Sequence, residues 1–259
     1  MLASLGSEDE AVKSVHLFLF DVDATLVETG GAGIRALESA MCAIFGIQHA
    51  ARGMSCAGLT DGFIVRRLLE RHGLGSGADA ERILDAYVEG LVGSVRLSRD
   101  YRVLPGVRES LDYLAARSDA LCGLATGNLE RGARIKLERG DLWRYFAFGG
   151  FCEDAEQAGT DADDALAVRT ALVRAAIGRG RELAGEGSRG RAFVIGDTPR
   201  DVASARAAGA VAVGVATGEY TGSELAAVGA DLVLPDLRGP ERWVEALLEL
   251  DSARGGAQS

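Results

Sequence analysis

Short apolar runs recur along the chain at His16–Phe20, Leu121–Ala125, about Phe146–Gly149, Ala192–Ile195, Val211–Val215 and Leu232–Leu234. Each gives way within a few residues to small, polar or turn-forming residues, a pattern that predicts β-strands. Between most of them the apolar spacing lengthens to that of a helix, over Gly106–Arg117, Leu129–Gly140, Ala165–Ile177 and Asp201–Ala208. Strands that are apolar on both faces and alternate with helices form parallel sheets covered on both sides. The expected fold class is therefore α/β, an open doubly wound parallel sheet of the Rossmann kind.

One interval breaks the alternation. From about Glu28 to Arg102 the pattern is helical, with Ile34–Phe45, Gly62–His72 and Ala80–Val95 as the predicted helices and no convincing strand. This block falls between the first and second core strands. The expectation is a core made of residues 15–27 and 103–250, interrupted by a helical cap over 28–102. The polar or small-residue ends, 1–14 and 252–259, are expected to be mobile tails. No internal repeat is visible, and the acidic stretch Glu153–Asp164 reads as a solvated loop.

Composition narrows the function. A chain of 259 residues accommodates one sizeable core and a small insert. No apolar run approaches the roughly 18 residues of a spanning helix. Glu8, Asp9 and Glu10 stand where a signal peptide would be basic and then apolar, so a cytoplasmic protein is expected. A net charge of −10 argues against a nucleic-acid surface, while leaving room for a small anionic substrate held through a metal. Cys42, Cys56, Cys122 and Cys152 lack C-x-x-C spacing and read as free, buried thiols.

The most informative segment follows the first strand, where Phe20 runs into Asp21-Val22-Asp23-Ala24-Thr25. On extended backbone, carboxylates spaced i, i+2 point to one side, here at the strand end where α/β proteins bind ligands. Two such acids cannot both ionise freely without a cation, which provides a nucleophile and a proton carrier by position. Capping a turn is the competing role for the pair. After the next strand, Thr126-Gly127-Asn128 offers a hydroxyl and backbone amides to an anion, or Thr126 as a helix N-cap. Gly196-Asp197-Thr198-Pro199-Arg200-Asp201 supplies further acids at a strand end, with hard oxygens suited to Mg²⁺. Asp201 is balanced there between metal support and complementing a helix dipole.

Lysine is scarce: Lys13 and Lys136 are the two in the chain. On the predicted Leu129–Gly140 helix, Lys136 shares one stripe with Leu129, Gly132, Ala133, Leu137 and Gly140, all small or apolar. An ammonium on a buried stripe needs anionic partners, and the acids after the first strand are available; the alternative is a lysine that snorkels to water. Gly31-Ala32-Gly33-Ile34-Arg35-Ala36 fits a dinucleotide fingerprint as a string, but it does not follow the first strand directly and reads as a hinge into the cap. Thr60-Asp61 is expected to cap the second cap helix.

Asp-x-Asp-x-Thr, then Thr-Gly-Asn, then Gly-Asp-x-x-x-Asp, in that order and each after a strand, resembles the haloacid dehalogenase superfamily, in particular its phosphoglycolate-phosphatase-like members with a helical cap of the first type. The resemblance spans roughly residues 15 to 240. It implies a phosphatase acting on a small phosphorylated metabolite with Mg²⁺ as cofactor. Asp21 would be the nucleophile and Asp23 the acid. Asp21, the Asp23 carbonyl, Asp197 and Asp201 would hold the metal. Thr126, Gly127 and Asn128 would bind phosphate. Lys136, paired with Asp21, would be the active-site cation, with Arg169 as the fallback. Ala24 departs from the glycine common among relatives. A phosphosugar mutase or dehalogenase of the same superfamily, a non-catalytic binding module, and a nicotinamide enzyme are the rival readings.

Overall fold

The computed structural model describes residues 14–75, 77–158, 164–185 and 187–255. In chain order its elements begin with β1 (His16–Phe20) and β2 (Val27–Glu28), followed by three helices, α1 (Ala32–Phe45), α2 (Asp61–Arg71) and α3 (Gly77–Leu97). Then come β3 (Arg102–Val103), α4 (Val107–Ala115), β4 (Ala120–Ala125), α5 (Glu130–Arg139), a 3₁₀ turn at Trp143–Tyr145, β5 (Phe148–Gly150) and α6 (Cys152–Gln157). The chain continues through α7 (Ala165–Ala184), β6 (Ala192–Gly196), α8 (Pro199–Ala207), β7 (Val211–Val215), α9 (Gly222–Ala227), β8 (Leu232–Leu234) and α10 (Pro240–Gly255).

Six strands pair in parallel in the order β5-β4-β1-β6-β7-β8, so the chain winds one way from β1 and then the other. The period of two along β1 explains why both faces are apolar. Phe18 and Phe20 enter one core with residues of α4, α5 and α10, while Leu17 and Leu19 enter a second with residues of α7 and α8. The carboxyl ends of β1, β4 and β6 therefore meet at the point where the winding reverses, the place an open α/β sheet offers a ligand.

Helices α1 to α3 share a cluster of their own, built on Leu37, Met41, Val65, Leu68, Ile83 and Leu91, which meets the sheet-bearing part through Leu129 and Cys152. The chain enters and leaves this helical segment through a small antiparallel ribbon, Val27 opposite Val103 and Glu28 opposite Arg102. The sequence reading found no strand here; two-residue strands are too short to show alternation. No helix among the described residues is long and apolar enough to cross a membrane.

Several expectations need correction. β5 starts at Phe148, because the chain is still turning at Trp143–Tyr145 when the apolar run begins. The stretch from Glu153 is not a plain solvated loop: α6 occupies Cys152–Gln157, and Asp154 is buried, accepting from Phe151 N (2.8 Å) and paired with Arg179 (2.5 Å). Residues 159–163 of that stretch, and residues 1–13 and 256–259 of the expected tails, lie outside the described residues. Ser252 is not the start of a tail, since α10 runs to Gly255. All four cysteines are free, but Cys42 is exposed and Cys56 only half-buried.

Candidate active site

Asp21 follows the last residue of β1 directly, and its amide donates to the Ile195 carbonyl of β6 (2.9 Å), so the sheet ladder fixes its position. Its carboxylate is 9% exposed, whereas that of Asp23 is 44% exposed and faces the cavity. Directly after Asp23 the chain turns sharply: Ala24 has φ 57°, in the left-handed region. A glycine would enter that region without steric cost; here an alanine is held in it. Thr217 Oγ1 donates to the Ala24 carbonyl (2.6 Å) and steadies the turn.

Two cations reach this pair from opposite sides. Lys136, on α5, is 4% exposed, as its place on the apolar stripe requires. Its ammonium donates to Asp23 Oδ2 (2.6 Å) and to Asn128 Oδ1 (2.5 Å). The expected partner was Asp21; Lys136 instead lies towards α1, near Gly33, and pairs with Asp23. Burial alone would lower the Lys136 pKa, but the charges of Asp23 and Asp61 outweigh it and raise it. Arg169, on α7, is 1% exposed and lies 3.3 Å from Asp21 Oδ2, against Asp201 as well. Its remaining nitrogen, Nη1, donates to the Gly58 carbonyl (3.2 Å). Both cations thus border the same cavity, Lys136 against Asp23 and Arg169 against Asp21.

Asp21, Asp197 and Asp201 place carboxylate oxygens within 4.8 Å of one another. Burial pushes the carboxyls of Asp21 and Asp197 above their usual range; Arg169 opposes the rise, the charge of Asp201 adds to it in both, and that of Asp21 adds to it in Asp197. This is a buried surplus of negative charge that wants a cation. Asp197 is held by Thr25 Oγ1 (3.2 Å), and a methyl on Gly218 would lie 1.9 Å from its Oδ2, so only glycine fits beside it. Asp201 is otherwise committed: Oδ1 accepts from Arg169 Nε (3.0 Å), and Oδ2 accepts from Thr198 N (2.9 Å) and Thr198 Oγ1 (2.6 Å) in a capping box that opens α8. Each of the three could offer an oxygen to a metal, Asp201 being the most engaged in hydrogen bonds. Asp201 stiffens the turn that carries Asp197.

The loop after β4 turns out differently from the expected N-cap. Leu129, not Thr126, is the N-cap of α5. The first amides of that helix are already occupied, Leu129 N by Asp61 Oδ2 (2.8 Å) and Glu130 N by Glu153 Oε1 (3.1 Å). Thr126 is fully buried, its hydroxyl accepts from Asn128 Nδ2 (2.8 Å), and it lowers Asp21 by hydrogen bonding. Asn128 also donates to Asp23 Oδ2 (2.9 Å), joining the loop to the acid pair. Gly127 has no room for a side chain: a Cβ there would lie 2.5 Å from the Leu59 carbonyl.

Sequence reasoning undervalued Asp61. Thr60 caps α2 as expected, accepting from Phe63 N (3.3 Å), but Asp61 reaches across to the α5 terminus and its own amide donates to the Gly127 carbonyl (2.8 Å). Burial lifts its carboxyl to about 6 against the pull of Lys136, and Tyr87 of α3 lies against it. Its place in the first turn of a predicted helix hid this role, since acids there are common. Gly31 is the N-cap of α1 with φ 75°, and Gly33 lies inside the helix, so the glycine string opens a helix after the ribbon and not after β1.

A family model described as HAD-hydrolase-like matches residues 165–240. The phosphoglycolate phosphatase of Pseudomonas syringae pv. tomato is 30% identical over 249 residues, covering 93% of this chain and 83% of that protein. The phosphoglycolate phosphatase of Pseudomonas fluorescens is 26% identical over 232 residues, covering 86% and 77%. Among solved structures, a hydrolase from Pseudomonas syringae superposes with a TM-score of 0.60 at 22% identity, over 89% of this chain and 98% of the other. CbbY from Rhodobacter sphaeroides in complex with phosphate superposes with a TM-score of 0.61 at 20% identity, over 87% and 96%. The two structures share the fold, and the sequence relative at 30% identity covers most of both chains. This chain therefore belongs to the haloacid-dehalogenase-like hydrolases and is, within them, a phosphoglycolate-phosphatase-like phosphoric monoester hydrolase.

Proposed function

We propose that the chain is a Mg²⁺-dependent phosphatase that hydrolyses a small phosphate monoester through an aspartyl phosphate on Asp21. The observation that carries the reading is the pairing of a buried acid, Asp21, with a half-exposed one, Asp23, each held by its own cation. Asp21 and Asp197, with the Asp23 carbonyl, would hold the metal; their buried, hard oxygens and surplus charge fit Mg²⁺. When bound, the ion offsets phosphate charge in a site rich in acid.

The chain's own groups account for the rest. Asp21 attacks phosphorus in line while the bond to the ester oxygen breaks, and the departing alkoxide takes the proton of Asp23. Lys136 and Asn128 both hold Asp23 Oδ2, leaving Oδ1 to carry that proton. Asp23 then accepts a proton from water as the water attacks the aspartyl phosphate, releasing inorganic phosphate and restoring Asp21. Thr126, the Gly127 amide and Asn128 bind the phosphoryl oxygens. Helices α1 to α3, within residues 28–102, act as a cap that excludes water from the reacting groups. The names of the relatives make phosphoglycolate the first ester to try.

Phosphate release from p-nitrophenyl phosphate tests the reading. Activity should vanish on dialysis against EDTA and return with Mg²⁺, and Asp21→Asn should remain folded but inactive. Undiminished turnover in metal-free buffer would end the proposal.

A further inference from the structure

Building on that phosphatase reading, we infer that the alcohol portion of the substrate is uncharged and partly apolar, and carries no carboxylate. The catalytic groups open into a cavity of about 570 Å³ between the strand ends and the helical segment. Its acidic lining residues are six, Asp21, Asp23, Glu28, Asp61, Asp197 and Glu219, against two basic ones, Lys136 and Arg169. Neither cation is free for a second anion besides the phosphoryl group. Lys136 is engaged by Asp23 and Asn128. Each nitrogen of the Arg169 guanidinium has an acceptor, Asp201 for Nε, Gly58 for Nη1 and the two acids Asp21 and Asp201 for Nη2.

The wall contributed by the helices is of a different character. Ile34 and Leu37 of α1, Ile64 and Val65 of α2, and Leu84 of α3 line it, joined by Met54 from the loop between α1 and α2. The acid set among them, beyond Asp23, is Asp61, paired with Tyr87; Ser55 and Cys56, beside Met54, add uncharged polar groups. A carboxylate on the leaving alcohol would lie near these groups and face Asp61, and among the described lining residues no cation is left unengaged to pair with it. Burying an unpaired carboxylate is among the costliest changes a site can impose. An apolar alcohol instead gains by covering the aliphatic wall.

The test compares two esters whose leaving groups are both primary alkoxides, benzyl phosphate and phosphoglycolate, on the full chain with Mg²⁺, with p-nitrophenyl phosphate as the reference for turnover. The expected kcat/KM for benzyl phosphate exceeds that for phosphoglycolate at least ten-fold, mainly through KM. Ile34 is 36% exposed and accommodates a longer side chain, so Ile34→Arg, which adds a cation to the wall, should narrow the ratio or reverse it. A wild-type preference for phosphoglycolate, or a ratio that Ile34→Arg leaves unmoved, would overturn the inference while the phosphatase reading stood. Absence of Mg²⁺-dependent turnover on all three esters would overturn that reading and this inference together.

Discussion

Replacing Arg169 by methionine keeps most of the volume of the side chain and removes its charge from the most crowded electrostatic point in the molecule. In the wild type, Arg169 faces Asp21 and Asp201 and is the largest side chain that is fully buried. Without it, three carboxylates within 4.8 Å of one another lose the guanidinium that lies against Asp21 and Asp201. Leaving buried charges unpaired costs ~3–5 kcal/mol. At about 2–4 °C per kcal/mol for a chain of this size, that corresponds to a loss of roughly 6–20 °C in Tm. The pH dependence carries a sign. Arg169 holds the carboxyls of Asp21 and Asp197 down, and burial already sets both above their unfolded values. Removing it raises them further, so the folded variant binds more protons than its unfolded chain over a wider range. The stability deficit is therefore largest above the folded pKa values and shrinks on acidification. Urea denaturation in EDTA at pH 5 and pH 7.5, on wild type and variant, measures both quantities. A variant within about 0.5 kcal/mol of wild type at pH 7.5 would refute the reasoning, since surface substitutions have effects of that size.

Three further predictions concern turnover. Asp23→Asn should slow esters of poorly leaving alcohols far more than p-nitrophenyl phosphate, whose leaving group needs little protonation; equal losses in kcat on both would remove Asp23 as the acid. Lys136→Ala should lower kcat on the order of 100-fold with little rescue by Lys136→Arg, because a planar fork does not replace a compact ammonium between Asp23 and Asn128; circular dichroism separates this from unfolding. Gly218→Ala should displace the Asp197 carboxylate and raise the Mg²⁺ concentration for half-maximal activity on the order of ten-fold, read from a metal titration of initial rates.

The sheet was legible because each strand is a short apolar run, buried on both faces, and the helices between them follow a different period. Leu17 to Phe20 illustrate this, alternating between two cores that both exclude water. The acids after β1 and β6 and the Thr-Gly-Asn loop after β4 were legible because they stand at strand ends, and Lys136 because an ammonium on an apolar stripe is anomalous. What stayed hidden depends on distance between elements. The sequence does not tell that Lys136 reaches Asp23 and leaves Asp21 to Arg169, because both acids lie after the same strand. Nor does it mark Arg169, one arginine among many on α7, as buried. Asp61 carries a similar ambiguity: an acid in the first turn of a helix looks the same whether it faces water or, as here, ends another helix. The burial of Asp154 was missed because its partner, Arg179, follows 25 residues later on a different helix.

The ribbon of Val27–Glu28 with Arg102–Val103 has a consequence for how this molecule tolerates insertion and deletion. Because residues 28 and 102 are directly paired across two strands, the ends of the intervening segment are already as close as the ends of a hairpin turn. The chain entropy of bringing them together is therefore set by the ribbon and not by the length between, which enters only logarithmically. Residues 29–101 are in this sense a replaceable module: a two-residue turn such as Asn-Gly would join Glu28 to Arg102 without moving the sheet. What such a graft would have to solve is surface chemistry, since Leu129 and Cys152, now buried against the helices, would face water. A change in the size of this segment would leave the acids after β1, one short turn away from the ribbon, in their places.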